Sequence, residues 1–335
     1  MLHDDGTPLG AYARRVPPLD APAGPMLERE VALPGPLDLR LTLGIHGHGR
    51  LDPSLRFEAS GSAWRAARTP EGAATLFIEV VEHGAQVRAR AWGPGAGPAL
   101  ASLEALLGLD DDPSALVPRH AVVAEAAHRL RGLRIGRTGN VLEALVPAIL
   151  EQKVTGGEAS RAYRGILARW GQPASGPAGE RGLRVPPDPA VLASLPYYAF
   201  HPVGLERRRA ELIRAVSRDA PRLERLAEAA SGPEGDPAPA YAALQRFPGI
   251  GPWTAAEVGA RAFGDPDAVS VGDFHLPNLV AWALAGEPRG TDERMLELLE
   301  PYTGQRGRVI RLLEASGIKA PRRGPRLAGR RIEDL

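Results

Sequence analysis

Asp273 is the carboxylate of this chain whose surroundings in sequence best suit it for chemistry. It stands in Val269-Ser270-Val271-Gly272-Asp273-Phe274, one helix and a loop beyond the string Leu244-Gln-Arg-Phe-Pro-Gly-Ile-Gly-Pro-Trp-Thr-Ala-Ala256. The centre of that string, Pro248-Gly249-Ile250-Gly251, reads as a tight turn between two helical segments. Tyr241 to Arg246 lead in with apolar residues at helical spacing, and Pro252 sits where a first helical position tolerates proline. The two glycines let the backbone take positive φ and leave amide N–H groups uncovered. At the start of the next helix, Trp253 to Phe263, those amides and the helix dipole favour an anion such as a nucleic-acid phosphate. A bare glycine-rich turn binds nothing as often as not; the full string Phe-Pro-Gly-Ile-Gly-Pro-Trp-Thr-Ala moves the reading toward binding. Asp273 also reads as the N-cap of a helix beginning at Phe274, and the two roles are compatible.

The string resembles the helix-hairpin-helix of the base-excision DNA glycosylases, most closely the DNA-3-methyladenine glycosylase II family. The resemblance covers roughly the last two-thirds of the chain. It implies that Gly249, Gly251 and Thr254 serve a DNA phosphate, that hairpin carbonyls can hold a monovalent cation, and that no other cofactor or metal is required. It implies Asp273 as the catalytic carboxylate and Trp253 as part of a base pocket. The segment Ala148-Ile-Leu-Glu-Gln-Lys-Val-Thr155 is similar to the family's Ile-x-x-Gln-x-Val-Ser, which places Gln152 toward the DNA minor groove. The family's next residue is an apolar wedge; here it is Lys153, which cannot fill a base stack but can reach a phosphate. Four residues past Trp253 an aromatic is expected, and this chain has Glu257, which reads first as an exposed helix residue and second as a group selecting a cationic base.

Cleaving an N-glycosidic bond builds positive charge on the sugar, which a carboxylate beneath it stabilises. One aspartate suffices when the leaving base is an alkylated, already cationic purine. The base must leave the stack, so its pocket should offer aromatic faces, each cation–π contact contributing about 0.5–2 kcal/mol. Trp253, Tyr197 and Phe274 are assigned to it, whereas Trp282 reads as core with Leu279 and Leu284. Strand-cutting glycosylases need a lysine amine for a Schiff base. Lysine occurs here only as Lys153 and Lys319, and the hairpin position just before Thr254-Ala255 is Trp253. The expectation is a monofunctional glycosylase for 3-methyladenine-type lesions acting on double-stranded DNA. The alternative is a non-catalytic helix-hairpin-helix protein that recognises damaged or bent DNA; a glycosylase for oxidised or mismatched bases is disfavoured by the missing hairpin lysine.

The chain has 335 residues, a formal charge of +1 and no cysteine. DNA contact must then come from local patches rather than a global field, and disulfides and cysteine-ligated iron–sulfur clusters are excluded. The N-terminus shows no basic-then-apolar secretory pattern, so a cytoplasmic location is the default, and nothing requires a dimer. His46 and His48 read as a polar strand end rather than a metal site.

These residues require an α+β fold: a small N-terminal antiparallel sheet with helices, then a two-lobed, all-helical core. In the first part, 1–118, Leu37 to Leu43, Thr75 to Val81 and Gln86 to Trp92 alternate as strands, the last two around a turn at His83-Gly84, and Ala99 to Leu107 reads as a helix. Helical spacing marks Ala121–Arg131, Val141–Val154, Gly157–Trp170, Pro189–Leu195, Leu205–Val216, Phe274–Leu284, Asp292–Leu299 and Arg306–Ala315. The Pro/Gly-rich stretch between Gly171 and Pro189 reads as a surface loop. The expected divisions are one helical lobe at 119–235, a second with the hairpin and Asp273 at 236–318, and a basic tail at 319–335 containing Lys319, Arg322, Arg323, Arg326, Arg330 and Arg331.

Overall fold

The N-terminal sheet has five antiparallel strands, β1 (Leu27–Ala32), β2 (Leu55–Phe57), β3 (Ala63–Thr69), β4 (Gly72–Val81) and β5 (Gln86–Trp92), in the order β1-β5-β4-β3-β2. The computed structural model describes residues 25–232 and 235–321, so the arginines of the expected basic tail lie outside the described residues. The expected β4–β5 hairpin forms, with Val81 opposite Gln86 and Thr75 opposite Trp92, and Glu82, His83 and Gly84 turn it at positive φ. Alternation along β5 buries Val87, Ala89 and Ala91 and turns Arg88 and Arg90 out, opposite Glu30 and Glu28 of β1. β3 escapes a reading by alternation because alanines and a buried Arg65 blur its pattern, β2 is only three residues long, and β1 is an edge strand with no fully buried residue.

Two expectations fail here. Leu37 to Leu43 is not a strand: Leu39–Leu43 is a short helix, with the Asp38 carboxylate accepting from the Arg40 and Leu41 amides at 2.8 and 2.9 Å. The same residues place Leu39, Thr42 and Leu43 at helical spacing, and these are the buried ones, so the Asp38 cap decides between two periodicities. Nor is the stretch after Gly171 a free surface loop. It forms two short strands, Gln172–Pro173 and Arg184–Val185, around a helical turn, and buries Ala174, Ala178, Leu183 and Val185 against Trp64, Phe77 and Trp92 of the sheet. A segment that covers a sheet face follows the shape of that face and needs no period of its own.

The helices form where expected, with ends shifted by at most one turn: Ala121–Arg129, Val141–Glu151, Gly156–Trp170, Pro189–Ser194, Arg207–Arg218, Leu276–Ala285, Asp292–Leu299 and Arg306–Ala315. A helix at Ala220–Ala230 was not legible because its buried stripe, Ala220, Leu223, Ala227 and Ala230, is mostly alanine. Packing groups these helices differently from the expected division at 235. One core takes Val141 through Ala230 together with the hairpin residues Leu244, Ile250, Ala255, Val258 and Phe263. Another takes Val123, Ala126, Leu133 and Ile135 from before that block and Leu276 to Leu313 from after it. The hairpin therefore belongs to the core that precedes it, and Asp273 lies where the chain returns to the other. Adjacency in sequence does not fix which apolar stripe a helix meets. β3 is tied to the first helical core by an ion pair between Arg65 and Glu143.

Candidate active site around Asp273

The hairpin runs from the helix Ala238–Leu244 to the helix Pro252–Val258, which continues as a π turn, Gly259–Phe263. One of its two glycines needs its freedom. Gly249 has φ 108°, and a Cβ there would approach Leu212 Cδ2 to 3.1 Å, whereas Gly251 is extended at φ −101° with open space beside it. The expectation of positive φ at both positions is corrected accordingly. Ile250 between them is buried and pegs the turn into the core. The amides of Gly249, Gly251, Trp253 and Thr254 make no hydrogen bond with the described residues, which is the arrangement an anion would use.

Gln152 and Thr254, both expected at the DNA surface, meet each other instead. The Gln152 side-chain amide donates to the Gly249 carbonyl and to Thr254 Oγ1, each at 3.0 Å, and Thr254 is buried. Gln152 latches the end of Val141–Glu151 onto the hairpin turn, and of Thr254 only the backbone amide is left for a phosphate. Of the hairpin carbonyls, that of Gly249 accepts from Gln152 and that of Phe247 from the Ile250 amide, which leaves each a second lone pair. Lys153 follows the latch and is exposed at φ 56°, a left-handed conformation costing a non-glycine residue about 1–2 kcal/mol. The next helix starts at once, capped by Thr155 and Glu158; the tight corner imposes the strain.

Asp273 is held on both oxygens. Gly272, at φ 94°, turns the chain; Oδ1 then accepts from the His275 and Leu276 amides at 2.6 and 2.8 Å, and Oδ2 accepts from Trp253 Nε1 at 3.2 Å. The helix begins at Leu276 rather than Phe274 and its N-cap position is His275, so Asp273 holds the turn just before the helix through the His275 and Leu276 amides instead of occupying the cap itself. The Trp253 contact bridges from the hairpin to the segment entering the other core. Phe274, assigned to a base pocket, points outward at 77% exposure, with the His275 ring against it in T-shaped geometry. Tyr197 packs on the first helical core with Tyr198, His201 and the Arg207 guanidinium as its partners, so the structure does not bring it to Asp273. Trp282, expected in the core, is 37% exposed.

Glu257, singled out in the sequence, and two arginines that sequence reasoning missed make the polar ties behind the hairpin. Glu257 is half-buried rather than exposed, ion-paired with Arg261 and accepting from Ser270 Oγ. Arg261 also donates from Nε to the Ile45 carbonyl at 3.0 Å, and Arg311 donates to the Leu41 carbonyl at 2.7 Å. Both arginines thereby bind the segment that carries His46 and His48 to the helical part. Burial lowers Arg311 to about 10, the nearby Glu314 opposing. Their signal in the sequence was the i, i+4 pair Glu257 and Arg261, and an arginine between Ile310 and Leu312 in an otherwise apolar stripe. Among the described residues no cluster has a metal-ligand set, and no helix is long and apolar enough to cross a membrane.

No family model matches the sequence. The chain is 27% identical over 289 residues to a Mycobacterium tuberculosis protein named probable bifunctional transcriptional activator/DNA repair enzyme AlkA, over 81% of this chain and 54% of that protein. It spans about half the length of the curated relatives it matches. Among solved structures, a 3-methyladenine DNA-glycosylase from Archaeoglobus fulgidus aligns at TM-score 0.69 and 20% identity, covering 86% of this chain and 98% of that one. An 8-oxoguanine glycosylase/lyase from Clostridium acetobutylicum aligns at TM-score 0.62 and 14% identity, covering 83% and 92%. The resemblance to the helix-hairpin-helix DNA glycosylases read from the hairpin string is borne out by these relatives, and the α+β fold is theirs.

Proposed function

We propose that this chain is a monofunctional DNA glycosylase that hydrolyses the N-glycosidic bond of alkylated purines of the 3-methyladenine type in duplex DNA. The observation that carries the proposal is the fixed carboxylate: Asp273 is aimed by two amides at the helix start and the Trp253 indole beside a hairpin whose amides are unused. In this reading the two helical cores act as two lobes, DNA lies across the cleft between them, and the hairpin amides take a backbone phosphate. The damaged nucleotide is extruded, Asp273 stabilises the charge that develops on the sugar, and the same carboxylate orients the attacking water. An alkylated purine leaves without an acid because it already carries the charge that protonation would supply.

The absence of a lyase step rests on the hairpin, which presents Trp253 where a Schiff-base lysine would be needed. The protein acts as a monomer, in the cytoplasm, without a required cofactor. The test is base release from methylated duplex DNA, wild type against Asp273→Asn, with binding to an abasic-site analogue followed in parallel. Asparagine still accepts from both amides, so release should fall by about 10²–10³-fold while binding persists, the range for losing one preorganised electrostatic group. A second reading, damage recognition without chemistry, is favoured by exposed Lys153 at the expected wedge position. It requires tight binding with no release of any alkylated base.

A further inference from the structure

One face of the second hairpin helix grips the turn that delivers Asp273 at two points. Trp253 and Glu257 stand four residues apart on Pro252–Val258, one above the other and about 6 Å along the axis. The Trp253 indole donates to Asp273 Oδ2 at 3.2 Å, and Glu257 Oε1 accepts from Ser270 Oγ. The Ser270 carbonyl in turn accepts from the Asp273 amide at 3.2 Å, so the two gripped residues close a single turn. Inside that turn the Gly272 amide donates to Asp292 Oδ1 at 3.1 Å.

Glu257 is itself aimed by Arg261. Its second oxygen, Oε2, is ion-paired with that guanidinium. Arg261 also donates from Nη1 to the Glu257 carbonyl at 3.2 Å and from Nε to the Ile45 carbonyl at 3.0 Å. A guanidinium is a rigid planar fork, so one carboxylate and two carbonyls fix its orientation. They thereby fix the direction in which Glu257 Oε1 meets Ser270. Ser270 is 6% exposed, and the Glu257 and Arg261 side chains are 16% and 17% exposed. Water competes little there, and a hydrogen bond to an ionised acceptor is roughly twice as strong as a neutral one. Arg261 stands in the π turn Gly259–Phe263, a departure from the regular helical ladder that recurs at functional sites. Ile45 lies in the Gly44–His46 turn, 216 positions away in the chain. A continuous polar path, Ile45 to Arg261 to Glu257 to Ser270, therefore joins the N-terminal part of the chain to the turn of Asp273.

We infer that Ser270, Glu257 and Arg261 are positioning residues for Asp273, bracing its turn against the N-terminal part of the chain. They act on the reaction only through Asp273, keeping its carboxylate on the Trp253 indole before a nucleotide arrives. A misplacement of about 1 Å caused by a remote change costs about a hundredfold in rate. The inference rests on the reading of Asp273 as the catalytic carboxylate and adds what holds it in place.

The test follows base release in single turnovers, binding to an abasic-site duplex, and solvent exchange of the Trp253 indole N–H by nuclear magnetic resonance. The indole signal is assigned by its loss in Trp253→Phe. Ser270→Ala is expected to slow release about 10–100-fold, to leave DNA affinity within about twofold, and to speed indole exchange about tenfold or more. Ser270→Thr keeps the hydroxyl and should restore most of the rate. Arg261→Lys keeps the charge and loses the fork. Alone it should slow release; added to Ser270→Ala it should slow it no further, because both act through Glu257. Wild-type release and indole exchange in Ser270→Ala overturn the inference. So do losses that multiply in the double variant, or a fall in release matched by an equal fall in binding. Should Ser270→Ala not fold, Arg261→Lys decides by the same readouts. Release lost in Asp273→Asn yet unchanged in Ser270→Ala sinks this inference alone. No release of any alkylated base by wild type sinks the glycosylase reading alone, and the indole exchange still decides whether the brace holds Asp273.

Discussion

Replacing Gln152 by alanine separates two roles that predict opposite results in the free protein. If Gln152 served only to touch DNA, its removal would leave the unbound fold within about 0.5 kcal/mol of wild type, as exposed substitutions do. In the structure its amide donates two hydrogen bonds, to the Gly249 carbonyl and Thr254 Oγ1, and the second partner is buried. Each bond contributes about 1 kcal/mol net, and Thr254 Oγ1 would be left buried without its donor. Gln152→Ala should therefore cost about 2 kcal/mol, or somewhat more, in urea unfolding without DNA. Gln152→Glu sharpens the point, because an ionised carboxylate would face a carbonyl oxygen that offers no proton. Its folded-state pKa would be raised above the unfolded one, so the variant should be most stable in acid and lose stability as pH rises. Wild-type stability in Gln152→Ala, or a pH-independent Gln152→Glu, would refute the latch.

Other consequences follow from the same geometry. Gly249→Ala should destabilise by about 1–2 kcal/mol through positive φ alone, with the Leu212 contact adding to it, while Gly251→Ala should fold normally and weaken only DNA binding; urea unfolding and a DNA titration of both variants separate the two effects. Burial pushes the Glu224 carboxyl, which accepts from the Val141 and Leu142 amides at 2.7 and 2.9 Å, up to about 7. An unfolded glutamate titrates near 4.3, so the Glu224 contribution is complete below that value and is lost as pH rises through about 7, by up to about 4 kcal/mol. Urea midpoints against pH should accordingly fall less for Glu224→Gln than for wild type, and parallel curves would contradict the assignment. Phe274→Ala should leave stability within about 0.5 kcal/mol, because the ring is exposed, and should weaken binding to abasic duplex DNA if this apolar side chain inserts at the extruded position in place of Lys153. Unchanged DNA affinity would make Phe274 a bystander.

Much of the molecule was legible because the signals are local. Pro252 at a first helical position, the glycines around Ile250, the gap from hairpin to Asp273, and the alternation of Thr75 to Trp92 all act between residues close in the chain. Backbone sterics and periodicity act at that range, so helices and the β4–β5 hairpin appear where spacing put them. Leu37 to Leu43 marks the limit even there, since one string satisfied two periods and a single carboxylate cap decided.

The sequence by itself determined that a hairpin with open amides precedes an aspartate at a helix start, and through the resemblance it pointed to the chemistry. Tertiary structure decided what surrounds that aspartate. Arg311 reaches the Leu41 carbonyl across 270 positions, Arg261 reaches Ile45, and Gln152 reaches Thr254 across 102. No period or spacing records such meetings, because they depend on which apolar stripes pack together. Once the hairpin joined the core of Val141 to Ala230, Gln152 turned inward to it. Once the Leu39–Leu43 helix and the turn after it docked, the Leu41 and Ile45 carbonyls met Arg311 and Arg261, two partners that their own sequence neighbourhood does not name. Desolvation then set those groups' proton affinities, a property of the packed fold that no single residue type carries.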